Sequence, residues 1–221
     1  MRHESDGGKL RNVLYLHGFA SSPKGRKVPA LRKLLEPGGL RVIAPDLNIP
    51  SFRRLDFRSM TRVAFWEVKK RLPSVVVGSS LGALVALAVA EMGLKAPLVL
   101  VAPALGFGDR WTGLPAGDPL MFFHHGVGRE LPIHRRFFEE MRLVRVDADP
   151  PSVPVTVVMG SADESVPFEG VRATRDAWSR SGRLLSGSRF VRIEGGDHGL
   201  VAHADRIAEE VRAAAGAPGP S

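Results

Sequence analysis

The chain has 221 residues, 44% of them hydrophobic, which is enough to bury a core as one domain over residues 1–221. It contains no cysteine, which excludes disulfides, a thiol nucleophile and cysteine-ligated zinc. The formal net charge is +8. The basic residues are spread over many segments and form no recognised nucleic-acid-binding module, so we expect no nucleic-acid binding.

The first residues are polar, and the longest apolar run, Leu81 to Ala90, is too short to span a bilayer. We therefore expect a cytoplasmic protein without a membrane span. Basic residues gather at 24–33 and 53–62 and are interpreted as solvated surface. The alternative is electrostatic attraction of an anionic substrate or partner, such as an acyl-CoA or an acidic carrier protein. The oligomeric state is left open.

Apolar, β-branched runs alternate with helix-forming segments along the chain. The pattern predicts strands near 12–16, 41–45, 74–78, 97–101, 154–159 and 188–193. It predicts helices near 24–36, 59–71, 80–92, 167–181 and 200–215. This alternation is typical of an α/β fold with about six mainly parallel strands and helices on both faces.

The first predicted strand ends at His17-Gly18 and leads into a loop that begins at Phe19. We interpret His17 as structural, with its ring hydrogen-bonded to that loop. A loop that leaves the strand beside a nucleophile can present a backbone N–H to a developing oxyanion. Phe19 is the residue expected to do so.

The third predicted strand passes through Gly78-Ser79-Ser80-Leu81-Gly82 directly into an apolar helix. The pattern G-x-S-x-G between a strand and a helix predicts a tight turn with Ser80 exposed above the sheet. The glycines are needed because a Cβ there would collide with the neighbouring strand or helix. Ser80 is therefore the candidate nucleophile, and the Leu81 N–H at the helix N-terminus is a candidate oxyanion donor. The alternative is a simple packing turn.

Between the fourth and fifth strands, residues 103–151 break the alternation and are rich in Gly, Pro, Phe and His. We expect a small cap with a helix around 133–142, because a structureless loop of this length is unusual in a compact domain. Phe122, Phe123 and Phe137 are the candidate substrate-pocket residues. The alternative is that these rings serve packing alone.

Two further candidate catalytic residues follow the last two strands. Asp163 comes after the fifth strand and His198 after the sixth, so the chain order is Ser, Asp, His. Asp109, after the fourth strand, is the alternative acid. The adjacent pair His124-His125 lacks an acidic residue at helical spacing, so no metal site is predicted. The tail, 216–221, is expected to be flexible.

These motifs resemble the α/β-hydrolase superfamily and, within it, the small bacterial YqiA-like esterases. The resemblance rests on residues 14–23, 44–48 and 78–82 and on the loops of Asp163 and His198. It implies a serine hydrolase fold and acyl-ester chemistry without a cofactor. Ser79 and Ala83 depart from many relatives, which carry His and Gly there; the polarity of the pocket can therefore differ.

The sequence thus predicts a carboxylesterase that acts on small-molecule esters of short or medium acyl chains through Ser80, His198 and Asp163. An acyl thioesterase is the alternative, because the same groups cleave thioesters and the positive charge suits CoA. A non-catalytic binding protein on the same fold is the third possibility. All three triad positions are filled, which argues against it.

Overall fold

The computed structural model describes residues 10–106 and 113–216. Asp109 and the tail 217–221 therefore lie outside the described residues. The strands are β1 (Arg11–Leu16), β2 (Leu40–Ile43), β3 (Val75–Ser79), β4 (Leu98–Val101), β5 (Leu120–His124), β6 (Arg129–Ile133), β7 (Val155–Gly160) and β8 (Arg189–Ile193). The α-helices are α1 (Lys27–Leu35), α2 (Phe57–Arg71), α3 (Leu81–Glu91), α4 (Arg136–Met141), α5 (Phe168–Arg180) and α6 (Ala204–Ala214).

Six strands form one parallel sheet in the order β2-β1-β3-β4-β7-β8. The central strands β3 and β4 are buried along their whole length, which explains their almost purely apolar sequences. Each of the six strands corresponds to one predicted from the sequence. The prediction of an α/β fold with a parallel sheet is confirmed.

Helices cover the sheet in layers: α1 packs against α6, and α2 packs against α3. Helix α3 is buried from Leu81 to Ala90, because it lies between the sheet and α2. Its sequence of Leu, Ala, Val and Gly suits an element without a solvent face. Within residues 10–106 and 113–216, no helix is long and apolar enough to cross a membrane.

The described part of the segment 103–151 contains elements of its own that do not belong to the parallel sheet. Strands β5 and β6 make an antiparallel hairpin, which the sequence did not predict, and α4 lies within the predicted helix 133–142. Two backbone hydrogen bonds fasten the hairpin to the body of the molecule. The His125 N–H donates to Ala20 O at 2.8 Å, and the His134 N–H donates to Arg53 O at 2.9 Å.

The strand order fixes where a site can lie. The chain runs from β1 outward to β2 and then returns to place β3 on the other side of β1. Ligands of open α/β sheets bind at such a switch point, beyond the carboxyl ends of the strands. The loop after β1 and the turn after β3 meet there, and they carry Phe19 and Ser80.

Candidate active site

Ser80 connects β3 to α3 in a strained backbone conformation, with φ 54° and ψ −119°. A residue other than glycine in such a region costs about 1–3 kcal/mol and persists only where its surroundings enforce it. Two backbone hydrogen bonds do so here. The Ser80 N–H donates to Val101 O at 3.0 Å, and the Ala104 N–H donates to Ser80 O at 3.2 Å.

Close contacts with neighbouring atoms require glycine at the positions around Ser80. A Cβ on Gly82 would lie 2.1 Å from Leu16 O, and one on Gly78 would lie 2.6 Å from the Ala83 Cα. A Cβ on Gly18 would lie 3.0 Å from the Ser80 Cβ. The turn is therefore packed from both sides, as the sequence motif requires.

A continuous line of hydrogen bonds joins the three residues singled out from the sequence. His198 Nε2 lies 3.1 Å from Ser80 Oγ, and His198 Nδ1 lies 2.8 Å from Asp163 Oδ2. The second carboxylate oxygen, Asp163 Oδ1, accepts the N–H groups of Ser165 at 2.9 Å and Val166 at 2.7 Å. The network assigns the ring proton to Nδ1, which leaves Nε2 free to accept the Ser80 hydroxyl proton.

Burial differs along this line of residues. The side chain of Asp163 is 0% exposed, whereas that of His198 is 30% exposed. The neighbouring acidic residues have other roles: Glu164 is exposed to solvent, and Asp197 Oδ1 accepts the Leu200 N–H at 2.6 Å. The acid is thus fixed behind the imidazole, and the imidazole reaches the surface of the cavity.

The loops that carry Asp163 and His198 are packed backbone against backbone. The Ala162 N–H donates to Gly196 O at 3.0 Å, and the Ser161 N–H donates to Ile193 O at 2.9 Å. A Cβ on Gly160 would lie 2.2 Å from Gly196 O. This contact sets the distance between the acid and the imidazole.

Phe19 and Leu81, the two residues expected to supply oxyanion donors, both flank Ser80. Leu81 is the first residue of α3, so its N–H is not used by the hydrogen-bond ladder of the helix. Phe19 follows Gly18, which packs on Ser80, and it lines the same cavity as Ser80. Both residues thus lie beside Ser80, and their role as oxyanion donors stays a prediction.

Ser79, which replaces the histidine of many relatives, is 2% exposed and hydrogen-bonds through its side chain to Tyr15. Burial raises the pKa of Tyr15 to about 12, and the hydrogen bond to Ser79 only partly opposes this. Tyr15 therefore remains a neutral phenol at physiological pH. Both residues line the cavity and add neutral polar groups beside the nucleophile.

Ser80 and His198 open into a cavity of about 730 Å³, within the size range of small-molecule sites. Its first wall is the segment from Gly18 to Val28, which comprises the loop after β1 and the start of α1. Its second wall is formed by the hairpin residues Phe122, Phe123 and His125. The third wall consists of the loops that carry Asp163 and His198. The hairpin wall is mainly apolar, whereas the first and third walls carry polar groups, and all three adjoin Ser80.

Of the three aromatic residues predicted to line the pocket, Phe122 and Phe123 lie on the cavity wall and Phe137 does not. Phe137 is 2% exposed and stacks on the Phe19 ring, with centroids 6.0 Å apart. It lies on the first turn of α4, whose buried face points into the core. The structure therefore places Phe137 outside this cavity, contrary to the expectation that it lines the pocket, and its ring packs against that of Phe19.

The other histidines have structural surroundings. His17 Nδ1 lies 2.9 Å from Gly18 O, and the Leu47 N–H donates to His17 Nε2 at 2.9 Å, so this ring fastens two loops together. His124 is buried against the Phe52 ring, and burial lowers its pKa. Among the described residues, no group of three or more His, Asp or Glu side chains could hold a metal ion.

Lys27 is a residue of the cavity that the sequence did not single out. It was grouped with the surface basic residues, yet it is half-buried and lines the cavity, with Nζ 3.5 Å from His198 O. No local pattern distinguishes it from the exposed Lys24, because its burial depends on the distant His198 loop.

The model of the uncharacterised protein family UPF0227 matches residues 12–120. This range contains Ser80 and the β1 loop, and it ends before Asp163 and His198. No curated protein matches the chain. The family match therefore covers the part of the site that carries Ser80.

Solved structures match nearly the whole chain. Est1E from Butyrivibrio proteoclasticus with bound ferulic acid is 21% identical, with a TM-score of 0.73, over 95% of this chain and 90% of that one. Alpha/beta hydrolase domain-containing protein 10 from mouse is 19% identical, with a TM-score of 0.72, over 93% and 90%.

A monoacylglycerol lipase from Paleococcus ferrophilus is 17% identical, with a TM-score of 0.72, over 92% of this chain and 94% of that one. At such identities the likeness establishes the fold. The strand order, the turn at Ser80 and these matches agree: the chain has the α/β-hydrolase fold, and its N-terminal half is similar to family UPF0227.

Proposed function

We propose that this protein is a serine hydrolase that cleaves carboxylic esters of short or medium acyl chains. The observation that carries the proposal is the unbroken hydrogen-bonded line from Ser80 Oγ through His198 to the buried Asp163. Ser80 is held in a strained turn at the base of a cavity. These are the parts that activated-serine chemistry needs.

In the first half-reaction, Ser80 Oγ attacks the ester carbonyl while His198 Nε2 accepts its proton. Asp163 holds the Nδ1–H tautomer and stabilises the imidazolium that forms. The N–H groups of Phe19 and Leu81 stabilise the tetrahedral oxyanion. His198 then donates its proton to the departing alcohol, which leaves an acyl group on Ser80.

In the second half-reaction, His198 Nε2 accepts a proton from water, which attacks the acyl carbonyl. The second tetrahedral intermediate collapses, the proton passes from His198 to Ser80 Oγ, and the carboxylic acid is released. No step requires a group beyond water and the residues named. The partial exposure of His198 is compatible with the access of water to Nε2.

The cavity supports a small acyl group as the substrate. Its volume of about 730 Å³ accommodates a small molecule, and Phe122 and Phe123 offer an apolar surface for an acyl chain. One of the structurally similar proteins is named as a monoacylglycerol lipase, which supports ester bonds as the target.

Thioester hydrolysis is the second candidate, and a specific observation favours it. Arg26 and Lys27 line the same cavity as Ser80, so a thioester with an anionic thiol portion, such as an acyl-CoA, meets positive charge at the site. The catalytic residues would act on a thioester as they act on an ester.

A fluorophosphonate probe and a panel of p-nitrophenyl esters and acyl-CoAs of graded length test the proposal. Wild type should bind the probe covalently and hydrolyse the shorter esters. Ser80→Ala should lose labelling and about 10⁴- to 10⁶-fold in kcat, as other serine hydrolases do without the nucleophile.

Ser21→Ala is the matched control, because Ser21 also lines the cavity but has no hydrogen bond to His198. This control should keep both labelling and turnover. Labelling of Ser80→Ala at the wild-type rate would overturn the assignment of the nucleophile.

A further inference from the structure

The cavity has an uneven distribution of charge that ester hydrolysis alone does not use. Among the described residues that line it, Arg26 and Lys27 are basic, and Asp197 is the only carboxylate. Asp197 Oδ1 accepts the neutral Leu200 N–H at 2.6 Å, and Asp197 lies beside His198, outside the wall that carries the two basic residues. The wall formed by the loop after β1 is therefore positively charged, and the hairpin wall with Phe122 and Phe123 is apolar.

Lys27 is the better placed of the two basic residues. Arg26 is exposed, whereas Lys27 is half-buried at the start of α1, and the first turn of that helix contains no acidic residue. Its Nζ lies 3.5 Å from His198 O, at the limit of a hydrogen bond. Within the part of the chain that the structure describes, no carboxylate forms an ion pair with Lys27.

A half-buried ammonium group loses part of its hydration, and at Lys27 no carboxylate of the described residues lies within ion-pair distance to compensate fully for that loss. Burial accordingly lowers the pKa of Lys27 to about 8, although Asp197 and Asp163 oppose this shift; Arg26 adds to it. The group remains mainly protonated near neutral pH. It therefore presents three N–H donors and a full charge beside the catalytic loop.

We propose that the ester or thioester cleaved at Ser80 carries an anionic group, a carboxylate or a phosphate, and that Lys27 binds this group at the cavity wall. The inference rests on the proposed function, because it concerns the substrate of that same serine. An anion beside Nζ forms charge-assisted hydrogen bonds, which exceed neutral ones in strength. The apolar hairpin wall remains available for the rest of the substrate.

The test compares matched substrates with and without an anionic group, and the change in their ratio on mutation is the readout. p-Nitrophenyl hexanoate is paired with mono-p-nitrophenyl adipate, in which a carboxylate replaces the terminal methyl group. Phenyl hexanoate is paired with the hexanoyl ester of p-hydroxybenzoate, and hexanoyl-CoA with the hexanoyl thioester of a neutral thiol. These pairs place the charge on the acyl group, on the alcohol or on a phosphate-bearing thiol.

For at least one pair, wild type should prefer the anionic member in kcat/KM. Lys27→Met, which keeps the unbranched length without the charge, should reduce that preference by about tenfold or more, the usual worth of a hydrogen bond to a charged group. Lys27→Arg should restore part of it. Lys24→Met, at an exposed lysine of the same loop outside the cavity, should match wild type.

A purely structural role for Lys27 gives a different result. If its contact with His198 O only steadies the catalytic loop, Lys27→Met slows charged and neutral substrates alike and leaves their ratio unchanged. The pH dependence adds a second readout. The preference should decline as the pH rises through about 8, where Lys27 loses its charge, and Lys27→Met should abolish this decline.

Equal use of the charged and neutral members of every pair by wild type would overturn the inference and leave the proposed function standing. An unchanged preference in Lys27→Met would do the same. If wild type hydrolyses none of these substrates and Ser80 fails to react with a fluorophosphonate, the proposed function itself fails, and this inference fails with it.

Discussion

The catalytic loops and the hairpin above them build the two sides of one cavity by different means. The turn at Ser80 is held by backbone contacts so close that glycine is required, and Asp163 accepts three hydrogen bonds. The hairpin β5–β6 is joined to the body by two backbone hydrogen bonds and by aromatic contacts such as that of Phe122 with Phe19, and Met121 and Phe123 are exposed. The turn at Ser80 and the Asp163 loop therefore tolerate few substitutions, whereas the hairpin can vary in the size and shape of its side chains.

The largest effect should come from the rigid side. Asp163→Asn should lower kcat by about 10⁴-fold, because an amide in place of the carboxylate favours the wrong imidazole tautomer and cannot stabilise the imidazolium. Hydrolysis of p-nitrophenyl butyrate measures the loss. Glu164→Gln, at the exposed neighbour, should be close to wild type. A mild Asp163→Asn together with a crippling Asp109→Asn would instead assign the acid to the segment after β4.

The next largest effect is a loss of stability without a change in substrate preference, and it concerns Phe137 in α4. Phe137 is fully packed in the aromatic cluster with Phe19 and Phe138. Phe137→Ala should lower the free energy of unfolding by about 3–5 kcal/mol, the usual cost of removing a buried phenyl ring. Urea unfolding measures this change. The order of preference among acyl lengths should be retained, and a reordered preference would return Phe137 to the pocket.

Phe123 should show the opposite behaviour, because it is half-exposed and lines the cavity. Phe123→Ala should leave stability nearly unchanged and raise the relative kcat/KM for longer acyl esters by about tenfold, the lower end of the roughly 10- to 200-fold that a methylene against an apolar wall is worth, because the ring is only half-buried. Met121→Ala is the control on the same strand, exposed but outside the cavity. The same change in both variants would mean that the hairpin surface does not set acyl preference.

The smallest predicted effect is on the pH dependence of stability and concerns His124, the last residue of β5. Burial lowers the pKa of His124 in the folded protein, so the unfolded chain binds a proton more readily. Stability from this residue is therefore complete above about pH 6.5, the ordinary histidine pKa, and declines at lower pH. His124→Phe should lose less of its thermal midpoint between pH 7 and pH 5 than wild type does. His203→Gln, in the loop before α6, should behave as wild type.

The two sides also differ in how much the sequence predicts. The six strands, the turn at Ser80 and the loops of Asp163 and His198 follow from local patterns, because a parallel sheet demands apolar runs and a tight turn demands glycine. The hairpin was missed: its strands have five residues each, and Pro132 in β6 argues against a strand. The run Leu-Met-Phe-Phe-His before Gly126 was the available signal.

The positions of Phe137 and Lys27 in the structure could not be predicted from the sequence, for a different reason. Each is placed by a residue distant in the chain, Phe137 by the Phe19 ring and Lys27 by the His198 loop. Composition marks an aromatic or a lysine but does not tell which face of a helix meets the cavity. Such assignments depend on tertiary packing and become available only with the structure.

The meeting of Gly160 with Gly196 has a consequence for how such enzymes diversify. Because a side chain at Gly160 would strike the carbonyl of Gly196, the loops that carry Asp163 and His198 can be inherited, exchanged or lengthened only as a pair that keeps both small residues. A graft of one loop from a relative, without its mate, would separate the acid from its imidazole.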